Sequence, residues 1–189
     1  MPYRRKYNGR STRRRTNINR SVSRAVTAHQ ETKNVRLSAQ FLTLPTSGLN
    51  IELNALSTGP DNGERIGNRV RNVRLTSQLV SVGCGPVRLV IYCPKNPLTS
   101  LQSTQRFAAI DPSDFWVLHD KVYGNGGKTQ SNDMITINLN KKLNFHTQWG
   151  NSSSNGFSKN PLKAFITTDV QSGGQGTLEG YFQTFYKDG

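Results

Sequence analysis

Acidic side chains are what this sequence most lacks. Among its 189 residues, 11 Asp and Glu face 25 Lys and Arg, for a formal net charge of +14. A balance this basic calls for an anionic partner: nucleic acid, an acidic membrane surface or an acidic protein. Long apolar runs are also missing. No stretch is long enough to cross a bilayer as a helix, so no membrane partner is expected. The basic N-terminus runs on into polar sequence and not into an apolar segment, so no secretory leader is expected. Cysteine is nearly absent. Cys84 and Cys93 are the only two, which excludes a disulfide framework and a paired CxxC zinc site. They could face each other across a strand pair, but free buried thiols are the expectation.

Signatures of catalysis and of cofactor or metal binding are missing too, so neither an enzyme nor a cofactor-binding protein is expected. His29 lies in the basic leader, and His119 and His146 fall in strand-like segments with no matching ligand cluster. GNGGKT at 124–129 superficially suggests a phosphate loop. The first glycine of that motif would fall at Val122, and no helix follows, so the stretch reads as a hairpin loop. Asp111, Asp114 and Asp120 do not have the spacing of a calcium loop and read as solvated acids. Asn19-Arg20-Ser21 and Asn151-Ser152-Ser153 match the glycosylation sequon, with no secretion signal to support its use.

What is present is unevenly distributed. Nine of the basic residues fall before position 25: Arg4, Arg5, Lys6, Arg10, Arg13, Arg14, Arg15, Arg20 and Arg24, with no acid among them. The remainder carries 16 Lys and Arg against 11 acids, so it is only mildly basic. Like charges at the leader's density repel, and few apolar groups offset the chain entropy. Residues 1–34 are therefore expected to be a disordered, Arg-rich arm until an anion neutralises them. Arginine and lysine bind phosphate oxygens regardless of base sequence. Tyr3 and Tyr7 sit among the charges and can stack on unpaired bases. The clusters Arg4-Arg5-Lys6 and Arg13-Arg14-Arg15 also resemble a bipartite nuclear import signal, which would add a host import receptor as a partner.

Residues 35–189 read as β-strands. Eight segments rich in β-branched and aromatic residues are expected at 35–44, 68–82, 87–93, 115–123, 134–140, 143–149, 162–170 and 177–186. Turn signals separate them, among them PDNG at 60–63, GCGP at 83–86 and SGGQG at 172–176. Only 98–108 could hold a short helix. With no helical layer, the sheets must cover one another. The expected fold is all-β, a single eight-stranded jelly-roll sandwich behind the arm. An immunoglobulin-like sandwich would want shorter loops and a Cys…Trp…Cys spacing that is absent. Within 68–82 the apolar period runs through Val73, Leu75 and Leu79 and then shifts to Val80 and Val82. Arg69 and Arg71 share one side of this strand and Arg74 falls on the other. The Arg69–Arg71 pair could supplement the arm in holding nucleic acid, or could lie at a surface or a subunit contact.

Three segments carry a family resemblance. GERIGNRVRNVRLTSQLV (63–80), FWVLHDKVY (115–123) and the terminal GTLEGYFQTFYKDG (176–189) occur in this order behind a basic arm. They resemble strands of the capsid proteins of small circular, Rep-encoding single-stranded DNA viruses (circovirus-like). That resemblance implies a structural protein of the virion. About sixty copies would assemble by themselves into an icosahedral T=1 shell, with the arms pointing inward and assembly in the host nucleus. Such a shell would hold on the order of 540 arm charges, enough to offset much of a genome of roughly one to two thousand nucleotides. Similar jelly rolls occur in satellite RNA viruses of plants, so the choice of DNA rests on the motifs and not on the charge. The competing reading is a cellular single-strand-binding barrel, ribosomal or OB-like. That would be shorter and would carry its basic and aromatic residues on the strands, where here they concentrate in the leader.

Overall fold

The computed structural model describes residues 31–41, 44–45, 47–105, 107–124, 134–150, 156–168 and 176–189. Eleven strands follow one another: β1 (Lys33–Phe41), β2 (Leu49–Glu52), β3 (Ser57–Thr58), β4 (Glu64–Arg65), β5 (Arg69–Val82), β6 (Val87–Pro94), β7 (Phe115–Tyr123), β8 (Met134–Trp149), β9 (Phe157–Lys159), β10 (Lys163–Thr168) and β11 (Thr177–Asp188). One sheet has the order β1-β11-β5-β8-β9 and the other β2-β10-β6-β7. All pairings in these two sheets are antiparallel. Setting aside the short β3, β4 and β9, the remaining strands alternate one by one between the sheets except at the hairpin β6–β7, which stays in one sheet, and the last returns beside the first. That is the doubled Greek key of a jelly roll, and it establishes the expected fold class.

The strand expectations differ from the structure in several places, the short β3, β4 and β9 aside. First, segments 134–140 and 143–149 are one continuous strand, β8. Lys141 and Lys142 between them are both exposed and do not break the ladder; Lys142 faces outward beside Arg74, and Lys141 takes the opposite side in register with Leu75. Second, β2 was not anticipated, because its four residues alternate only half-buried and exposed positions and carry little apolar signal. Third, the phase of β5 does not shift after Leu79. Its inward residues continue as Leu75, Ser77, Leu79 and Ser81, while Val80 is half-buried and Val82 exposed. The shift comes earlier. Phe185 pairs with Arg74 and Tyr186 with Asn72, leaving Val73 unpartnered in a β-bulge. β1 also begins at Lys33, slightly before the apolar alternation. The stretch 98–108 contributes a single 3-10 turn at Ser103–Gln105.

The core lies between the sheets. Leu75 and Leu79 of β5, Phe182 and Leu178 of β11, and Ile137 of β8 meet Leu89 and Ile91 of β6 and Ala164 and Ile166 of β10. Cys84 and Cys93 are buried there as free thiols, and burial pushes the Cys93 thiol up to about 12. β6 and β10 are buried on both faces. Their second face is covered by the long β6–β7 connection, whose Leu101 and Ile110 pack with Val90, Tyr92, Phe115 and Phe165. Polar anchors fix that cover. Arg88 grips Asp120 with two bonds (2.8 and 2.6 Å) and donates to the carbonyls of Gln105 and Ala108 (both 2.9 Å). The Tyr92 hydroxyl donates to Asn50 Oδ1 (2.6 Å) and accepts from the Leu101 N–H (3.2 Å).

The segment Gly63–Asn68 closes one end of the sandwich. Gly63 and Gly67 take positive φ of 91° and 80°, conformations that a side chain disfavours. The turn they form drives Arg65 into the interior. There it is fully buried, its guanidinium lies 4.4 Å over the Trp149 ring and it donates to the Gly67 carbonyl. Burial holds Arg65 below the usual guanidinium value. Tyr186 donates to the Glu64 carbonyl (2.7 Å), and Ile66 N–H to Asp188 Oδ1 (2.9 Å). Buried Lys33 joins this end through Asp188 (3.1 Å) and the Pro60 and Glu64 carbonyls (3.0 and 3.3 Å).

Two substitutions test this packing. Gly180 has a φ of 140°, and a Cβ there would collide with the Gln78 carbonyl oxygen of the neighbouring strand. Gly180→Ala is expected to destabilise the β-sandwich by roughly 2–4 kcal/mol in urea melts. The buried Ser81 hydroxyl has no hydrogen-bond partner. Ser81→Ala should therefore be neutral or stabilising by up to about 1 kcal/mol, in contrast to about 2–5 kcal/mol lost for Leu79→Ala.

Candidate nucleic-acid interface

Among the described residues, the outer face of the four long strands of the first sheet is exposed or half-buried, whereas that of β6 and β10 in the second is buried. The Val73 bulge sets what that face carries. Val70 and Asn72 point inward before it and Leu75 after it, all fully buried. Arg69, Arg71 and Arg74 consequently all project outward. This corrects the expectation that Arg74 lies opposite the other two: strict alternation fails where one residue is unpaired.

Register assembles the rest. One row across the sheet runs Asn34, Phe185, Arg74, Lys142, and the next Arg36, Gln183, Thr76, Asn140. Lys187 lies beside Arg71, which lies beside His146. Among the described outward positions of these four strands, Glu179 is the sole carboxylate. The arginines lean on neutral partners. Arg36 lies 3.9 Å over the Tyr181 ring and Arg74 5.9 Å from the Phe185 centroid. Arg74 Nε donates to Asn140 Oδ1 (2.8 Å) and Arg71 Nη2 to Asn144 Oδ1 (2.9 Å). Amides and rings orient a guanidinium without cancelling its charge, so the face keeps a positive field. His146 reports that field. Burial lowers its pKa first, and the Arg69 and Arg71 charges lower it further.

Cations, half-buried rings and amides on one surface can bind phosphate, stack on bases and hydrogen-bond base edges without a fixed code. Arg69 and Arg71 were marked from sequence and do stand together on this face. Arg36, Tyr181, Phe185, Lys142 and Lys187 were not. The available signal lay in β11, where Phe182 and Tyr186 fill the core phase and Tyr181 and Phe185 occupy the polar one.

The arm residues Arg4, Arg5, Lys6, Arg10, Arg13, Arg14, Arg15, Arg20 and Arg24 lie outside the described residues, as do His29, 125–133 and both sequons. Asp120 is held by Arg88, and the exposed Asp111 carboxylate accepts from the Ser113 N–H (2.7 Å). His119 is bonded to the Tyr123 hydroxyl (3.0 Å). Among the described residues there is no cluster of His, Cys, Asp and Glu suited to a metal, and no helix long and apolar enough to cross a membrane.

No family model and no curated protein matches this sequence. Among solved structures, the chain is similar to the BFDV capsid protein in its 60-mer crystal form. The identity is 14%, over 83% of this chain and 92% of that one, with a TM-score of 0.33. It is also similar to a chain of infectious bursal disease virus, strain Gx, with 9% identity over 85% of this chain and 33% of that one and a TM-score of 0.28.

The field at His146 has a pH consequence. Both His119 and His146 are held below the ordinary histidine value. The unfolded chain therefore takes up these protons first, and the shell should lose stability as pH falls below about 6.5. An NMR titration should place His146 below that value. Arg71→Gln should raise it, though not fully, because burial is the larger cause.

Proposed function

We propose that this chain is the capsid protein of a small virus: it assembles with copies of itself into a closed shell and packages a single-stranded genome. The observation that carries the reading is the distribution of positive charge on a jelly-roll shell. The leader holds nine cations and no acid, and the one open sheet face adds Arg36, Arg69, Arg71, Arg74 and Lys142 with a lone carboxylate. Among the described residues there is no groove-reading helix, which fits a partner accepted at any base order. Self-association is supported by apolar side chains left in solvent away from that face. Leu98 is 90% exposed, Ile66 57% and Trp116 49%, and Val117 and Val122 are exposed along the same edge strand β7. Exposed apolar groups of this kind mark protein contacts.

The finer assignments rest on the sequence motifs. They are about sixty copies in a T=1 shell, a DNA genome, inward arms, and nuclear import through Arg4-Arg5-Lys6 and Arg13-Arg14-Arg15. A cellular single-strand-binding protein with the same open face would remain a monomer or small oligomer.

Negative-stain microscopy and size-exclusion chromatography of the purified full chain should reveal uniform shells with raised absorbance at 260 nm. A monodisperse monomer at moderate salt would overturn the reading. Deleting residues 2–24 should leave the β-rich circular dichroism spectrum intact while removing most nucleic-acid uptake. It should also flatten the log–log salt dependence of binding by up to about 6, from nine lost phosphate contacts to a single strand.

A further inference from the structure

We infer that the outer face of the β1-β11-β5-β8 sheet is itself a binding site for unpaired bases, which stack on Phe185 and on the Arg36–Tyr181 pair. This rests on the packaging reading and deepens it, because the leader's phosphate contacts are indifferent to bases and this site is not.

The argument starts from strand phase. β11 spends Phe182 and Tyr186 on the interior, where both are fully buried. The core therefore does not need Tyr181 and Phe185, which stand half-buried on the opposite side amid amides and cations. Four residues separate them along one strand, a span of about 13 Å. An extended single strand with splayed bases can cross that distance. The two platforms differ. Arg74 sits beside the half-buried Phe185 at 5.9 Å from its centroid, so part of the ring remains accessible. Arg36 lies directly on Tyr181 at 3.9 Å. A planar guanidinium stacks on bases as it does on rings, so this pair forms a plinth to which a base adds as a third layer.

Polar groups complete the site. Between the platforms lies Gln183, whose Nε2 donates to Asn34 Oδ1 at 2.9 Å. Beyond them are Asn140 and Asn144, already oriented by Arg74 and Arg71. These amides can bond any base edge. Lys142 lies in the row of Phe185, and Arg71 and Arg69 continue beyond it, which gives that end of the face phosphate-binding charge. A duplex cannot use the platforms, because its base faces are already stacked on one another, so the site selects single strands.

The test uses the full chain and three probes of equal length: oligothymidylate, an abasic deoxyribose-phosphate strand and a DNA duplex. The wild type should bind oligothymidylate about tenfold or more tightly over the abasic strand, since a single base–ring stack reaches that size. The Tyr181→Leu/Phe185→Leu variant should lose this preference and keep its salt slope, whereas Tyr181→Phe and Phe185→Tyr should retain both. Ultraviolet cross-links from wild-type protein to oligothymidylate should map to the peptide carrying residues 181–185, a readout that does not depend on any variant folding. Equal binding of all three probes, a preference that survives the leucine variant, or cross-links confined to the leader would overturn the inference while leaving packaging intact. So would a leucine variant that fails to assemble but keeps its base preference, since the face would then be a subunit contact. Failure of the wild type to bind any probe would instead overturn the packaging reading.

Discussion

One unpaired residue decides which chemistry the first sheet shows to solvent. Without the bulge at Val73, the inward phase set by Val70 and Asn72 would carry Arg74 into the core and turn Leu75 and Leu79 outward. An unpaired guanidinium in an apolar interior costs several kcal/mol and has no partner there. The bulge resolves the conflict by resetting the alternation midway along β5. Its two halves then both face apolar residues to the second sheet and arginines to solvent. The same reset allows Arg74 to stand in register with Phe185 and Lys142, so the cationic row across the sheet depends on it.

The two sheets resolve their outer faces in opposite ways. The second sheet is roofed by the β6–β7 connection, and its outward Arg88 and Lys163 are consumed in holding the roof. Arg88 binds Asp120 and two carbonyls, and Lys163 binds the Ser100 hydroxyl at 3.0 Å. These cations are structural although nothing in their sequence context marks them so. Among the described residues nothing roofs the long strands of the first sheet, and an antiparallel sheet can leave one face in water if that face is polar. Its arginines rest on rings and amides, which orient them and leave their charge available. Basic residues in one domain are thus divided by topology between anchors and field.

This division explains what could be read from the sequence. β1, β5, β6, β7, β10 and β11 were legible, because apolar alternation or a short apolar run identifies a strand. The split of β8 at Lys141-Lys142 and the omission of β2 have one cause. Period and composition report burial, and both places are exposed strand. The open face was barely legible. Arg36, Arg74, Lys142 and Tyr181 come from four different strands, and only the pairing register brings them together. Register depends on long-range contacts and on a bulge that no local pattern announces. The Gly63–Asn68 motif was legible as a motif but not as a mechanism. Its glycines serve to bury Arg65 beneath Trp149, and its chemistry is that of closure rather than recognition.

The first strand shows the same division. Lys33 is buried and clamped by Asp188 and two carbonyls. It pairs in register with Tyr186, one step from the row of Lys187 and Arg71. Three residues on, Arg36 stands exposed over the Tyr181 ring. Strand phase separates the two cations. The inward position consumes Lys33 as an anchor of the closed end of the sandwich, and the outward one leaves Arg36 to the field of the face.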